Sequence, residues 1–260
     1  MVHRRMRWWR YHCMLWLCVA VSSTGKERVV HFMTEKYCVA QEQVVIVYKM
    51  IFVPIGCDCT CARMLKHLGL RRFSLPFDWV VTYRGVADIL ENDFATFLPA
   101  SGKGVVNHRD GVLFFHNDFP TDTDTIKRRI DRFRTLLQTS QERLVFVRVG
   151  HGSSHHHEYR TSVHNEHTDV VDEIEHATRL DKLLKERFPN LSYDIVLLWN
   201  CTQCPCPIET LSDEHLTIGS TVRVYNLTSQ PERISSWNNM TAFHQFCETI
   251  LLPLATPDDK

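Results

Sequence analysis

Glycine and proline are scarce, ten of each in 260 residues, which excludes collagen-like and low-complexity chains. An excess of charge of one sign is missing too. Lys plus Arg is 30 and Asp plus Glu is 30, so no overall field draws nucleic acid, and none is expected as a partner. The apolar run Cys13 to Val21 falls short of the ~20 residues of a membrane span, so no stable span is expected. Ten cysteines lie below the density of a disulfide scaffold. What is present is ordinary for a folded chain: 44% hydrophobic and 23% charged residues, enough for one large domain or two small ones.

The N-terminal segment has its own pattern. Arg4, Arg5, Arg7 and Arg10 precede the apolar run 13–21, and Ser22, Ser23, Thr24 and Gly25 follow, the layout of a secretory signal or short signal anchor. Met50 opens Met-Ile-Phe-Val-Pro-Ile-Gly, a natural first strand. Residues 1–49 are therefore expected to be a leader or upstream extension, and 50–260 one domain. A working leader implies a secreted or anchored protein, and a start at Met50 a cytoplasmic one. The sequons at Asn190, Asn200, Asn226 and Asn239 fit the first route.

Hydrophobic runs and periodicities predict strands at 44–48, 51–55, 112–115, 144–149, 195–199 and 222–227. Helical spacing marks 61–70, 86–98, 121–140, 170–188 and 239–252. The helix 121–140 sets Ile126, Ile130, Phe133, Leu136 and Leu137 on one face and surrounds them with Lys127, Arg128, Arg129, Arg132 and Arg134. No Gly-rich phosphate loop accompanies it. Strands alternating with helices imply a single α/β domain with a mainly parallel sheet and helices on both faces.

In open parallel sheets, ligands sit beyond the carboxyl ends of the strands. Those ends deliver Cys57, Asp58 and Cys59, then His116 and Asp118, then Arg148 and His151, then Asn200 and Cys201. Neighbouring strands would gather a thiol, an imidazole, carboxylates and an arginine in one crevice. A helix N-terminus and a nearby His lower a thiol's pKa, which suits Cys59 as nucleophile and His116 as base, with Asp78 or Asp118 orienting the ring. Arg148, Trp79 and Asn200 are the expected substrate contacts.

The ordered series Gly56-x-x-Cys59, Ala62-x-x-Leu65, Gly69-Leu70-Arg71 and Pro76-Phe77-Asp78-Trp79 carries more than spacing. Followed by Leu90-Glu91-Asn92-Asp93-Phe94, Phe114-x-His116, the helix Lys127 to Phe133 and Leu144 to Arg148, it resembles the family named "putative papain-like cysteine peptidase", whose members are bacterial, plant and viral. The resemblance runs from about residue 51 to the end. It implies a cysteine peptidase or related thiol hydrolase acting on an amide or ester bond, with Cys59 as nucleophile, His116 as base and Asp78 as a further motif residue. A peptide or other acyl compound is the implied substrate, and no cofactor is required.

Two alternatives use the same residues. A glycosyltransferase-like enzyme would grip an anionic donor with Arg148 and the basic helix. A non-catalytic module would hold zinc through Cys201, Cys204 and Cys206, completed by Cys57, Cys59 and Cys61 or by His155, His156 and His157.

Overall fold

A computed structural model describes residues 16–21, 27–32, 50–151, 170–200, 216–226 and 240–255. The expected strand 44–48, His155, His156 and His157, and Cys201, Cys204 and Cys206 lie outside the described residues. The chain divides into two units, 1–47 with 257–260, and 48–256. In the first, β1 (Trp16–Val21) and β2 (Glu27–Phe32) pair antiparallel, with Trp16 opposite Phe32.

The second unit is a single α/β domain built on a five-stranded sheet. Its parallel strands are β3 (Met50–Pro54), β7 (Arg143–His151), β8 (Tyr193–Asn200) and β10 (Val222–Asn226), with β9 (Leu216–Ile218) antiparallel at the β10 edge. These strands are β-branched and aromatic and are buried on both faces, as parallel strands covered by helices must be. One face packs Ile51, Val53, Leu144, Phe146, Ile195 and Leu197 against α3 (Thr123–Thr139) and α4 (Val170–Arg187). The other packs Phe52, Val145, Val147, Val196 and Leu198 against α1 (Cys59–His67) and α5 (Met240–Ala255). Alternate residues of each strand therefore serve opposite cores. Among the described residues no helix is long and apolar enough to cross a membrane.

A second, three-stranded antiparallel sheet runs β4 (Val81–Thr82), β6 (Val112–Phe119), β5 (Gly102–Asn107). This corrects the expectation that residues 112–115 lie beside the parallel strands. The strand is longer than its apolar run, and its ladder with β5 is irregular between Lys103 and Val105, which breaks the two-residue alternation that marks a strand. The expected helix 86–98 is also shorter. It forms α2 (Ala87–Glu91) and then turns, because Asp93 and Phe94 take φ of 48° and 59°. A left-handed Phe is costly; here its ring is buried against Phe77, Phe97 and Phe133, with centroids 5.7, 5.3 and 6.1 Å away.

Candidate functional site

The chain leaves β3 through a segment that joins both sheets. Ile55 N–H donates to Val147 O (2.9 Å), Cys57 N–H to Val149 O (3.3 Å) and Thr82 N–H to Cys57 O (2.8 Å). Gly56 makes this possible: its φ is +95°, and a Cβ there would lie 2.0 Å from Thr82 Oγ1 and 3.0 Å from Arg148 Nη1. Only glycine fits that backbone and that space.

Arg148 occupies the other side of the junction and uses up its donors there. Its guanidinium forms a buried ion pair with Glu173 through Nε and through Nη2 (2.9 Å). Nη1 donates to Ile55 O (3.1 Å) and Thr82 Oγ1 (2.9 Å), and Nη2 also to Thr82 O (2.9 Å). All five N–H groups of an arginine are thereby engaged. The expected substrate contact at Arg148 is corrected: this side chain is 2% exposed and ties the two sheets together. The donor-gripping role given to it in the transferase alternative goes with it.

The helix α1 begins one residue after the junction's buried Asp58, which caps it by accepting from Thr60 N–H (2.7 Å). Three cysteines straddle this start and meet three environments. Cys57 is buried; Cys61 is buried and donates to Val147 O (3.0 Å), beside Cys247 in the α1–α5 core. Cys59, the first helical residue, is partly exposed. None of these four sulfurs is in a disulfide, and among the described residues no group of three or more His, Cys, Asp and Glu is placed to hold a metal ion.

Position at a helix N-terminus does not lower the Cys59 thiol as the sequence suggested. Burial, and after it the Asp58 carboxylate, push it up to about 11 against the opposing pull of Arg63. Desolvation and a like charge beside the sulfur outweigh the helix terminus. Burial also raises the Cys61 and Cys247 thiols.

Asp78 is fully buried on the loop after α1. It pairs with Arg71 and accepts from Leu75 N–H (3.2 Å); burial raises its carboxyl, and Arg71 pulls it back. Arg71 also lies 5.9 Å over the Trp79 ring, whose edge-on neighbour at 6.0 Å is His116. Asp78, Trp79 and His116 thus share one cluster. His116 itself is exposed and sits within β6, not at the end of a parallel strand. Asp118, two residues on and therefore on the same side of β6, is exposed and directly opposite Lys103. Among the described residues no hydrogen bond joins His116 to Cys59, Asp78 or Asp118. Asn200 closes β8 opposite His151 of β7.

The parallel strands follow one another across the sheet in chain order, β3, β7, β8, β10. Among the described strands there is no reversal of order, and hence none of the switch-point geometry that the strand-end argument invoked. Reactive residues gather instead where β3, α1 and the small sheet meet. Sequence reasoning placed Gly56, Asp58 and Arg71 in this stretch without giving them these roles, and it missed Thr82 and Glu173. Asp58 had a legible signal, an acidic residue just ahead of a helix; Glu173 had none, since its partner is far away in sequence.

Residues 50–114 match the family described as "Putative papain-like cysteine peptidase (DUF1796)". The match spans Gly56, Cys59, Arg71, Asp78 and Trp79, and ends at Phe114, just before His116. The chain is also similar to a protein of Acanthamoeba polyphaga mimivirus named Uncharacterized protein R408, at 30% identity in a 137-residue alignment covering 38% of this chain and 60% of that protein. No solved structure matches the chain.

Proposed function

We propose that this chain is a thiol hydrolase of the cysteine peptidase kind, acting on an amide or ester bond through Cys59. The observation that carries this is selective exposure: of the four cysteine side chains described, Cys59 alone reaches solvent, and it does so at a helix start within the family-matched segment.

Its high pKa sets the form of the mechanism. The resting sulfur keeps its proton, so the thiol is deprotonated as it attacks and no thiolate waits beforehand. His116 takes the S–H proton while Sγ bonds to the carbonyl carbon, then returns it to the departing amine or alcohol. Water cleaves the resulting thioester and regenerates the thiol. Asp118, on the same side of β6, orients the imidazole; Trp79 and Asn200 contact the substrate, and Asp78 holds Arg71 and Trp79 in place.

Incubation with p-nitrophenyl acetate followed by peptide mass spectrometry tests this. The expected outcome is an acetyl adduct concentrated on Cys59, lost in Cys59→Ala and much slower in His116→Ala. A folded protein acetylated no faster at Cys59 than at its surface lysines would sink the reading.

A further inference from the structure

Beside Trp79 and His116, three arginines from two elements come together. Arg71 follows α1, while Arg129 and Arg132 are one turn apart on α3 and so share a side of it. Ser74 ties two of them: its hydroxyl accepts from Arg71 (2.8 Å) and its carbonyl from Arg132 (2.5 Å). Arg129 lies within electrostatic reach of Arg71, Arg132, Asp78 and Asp122.

The two carboxylates are already committed. Asp78 is taken by Arg71, and Asp122 accepts from Asp118 N–H (2.9 Å) and Asn117 (3.4 Å). Arg129, half-buried, makes neither a hydrogen bond nor an ion pair with any described residue, and Arg132 has no carboxylate partner among them. A partly desolvated guanidinium without a counter-charge is costly. One further donor here, Arg71 Nε, is buried without a partner; Asp78 Oδ1, also buried without one, is an acceptor that an anion does not satisfy. The polar set is incomplete as it stands, with positive charge in excess.

We propose that Arg71, Arg129 and Arg132, with Trp79 beside them, form a binding site for a phosphate monoester. Guanidinium forks match phosphate oxygens in pairs, and a three-oxygen tetrahedral anion can take donors from two elements where a flat carboxylate serves one. The Trp79 ring, with His116 edge-on to it, gives the ligand's body an aromatic surface. The site shares Trp79 with the substrate contacts proposed above, but anion binding there does not require hydrolysis by Cys59.

Calorimetric titration of the full chain with phenyl phosphate, benzoate and benzyl alcohol tests the proposal. Phenyl phosphate is expected to bind saturably and at least about tenfold more tightly than benzoate, with benzyl alcohol silent. Arg129→Ala and Arg132→Ala, each shown to be folded by circular dichroism, should weaken phosphate binding at least about tenfold, and Arg128→Ala on the same helix should leave it unchanged. Absence of saturable phosphate binding, benzoate binding as tightly as phenyl phosphate, or affinity untouched by both cluster variants would each overturn it.

Discussion

Cys59 holds its proton because its surroundings penalise negative charge twice, through burial and through the neighbouring Asp58. The sign is testable. Both effects raise the thiol, so the fraction of reactive thiolate at neutral pH is small, and iodoacetamide labelling should climb only as pH approaches about 11. Asp58→Asn keeps a side-chain oxygen for Thr60 N–H while removing the like charge, so its labelling curve should move to lower pH. Arg63→Ala removes the opposing cation, and its curve should move up. A labelling midpoint near the ordinary thiol value of ~8.5 in the parent would contradict this environment. Gly56 gives a second prediction at this scale: Gly56→Ala incurs about 1–3 kcal/mol of backbone strain before the overlap with Thr82 Oγ1 is counted. Denaturant titration should show a large loss of stability, which Thr82→Ala in the same chain partly restores.

At the scale of elements, α3 is held to the large sheet by an aromatic cluster. Phe133, fully buried, meets Phe77, Phe94 and Phe146 with centroids 5.6, 6.1 and 6.5 Å away. Phe133→Ala should cost about 3–5 kcal/mol, read as a shift in the urea midpoint at constant slope. Periodicity made α3 legible, as it did α1, α4 and the parallel strands, because each buries a continuous stripe or run. The small sheet was not legible. The strand β4 has two residues, β5 contains Gly102 and Gly104, and β6 carries His116, Asn117 and Asp118 inside its span. Its pairing is set by tertiary contact, which local pattern does not encode. The same gap misplaced His116: its residue type was readable, but the sheet to which it belongs was not. Phe94 shows a related limit, since a left-handed aromatic is sustained only by the ring cluster around it.

Across the whole molecule, Arg148 and Glu173 link α4 to the crossing of the two sheets. Arg148→Ala would leave Glu173 buried without its counter-charge and should cost about 3–5 kcal/mol. Arg148→Lys should rescue little, because one ammonium cannot replace five donors directed at Glu173, Ile55 and Thr82. Thermal unfolding of both variants checks this, and a parent-like midpoint for the lysine protein would argue against the fork. The two-sided core also bears on how the chain matures at the ribosome. The face formed by Val145, Val147, Val196 and Leu198 is roofed in part by Cys247 and Leu251 of α5, a helix synthesised after all four of those residues. Until residues 240–255 have emerged, that half of the sheet stays uncovered and prone to association. A nascent chain stalled before α5 should therefore recruit holding chaperones, and a chain stalled only after residues 240–255 have emerged should be free of them.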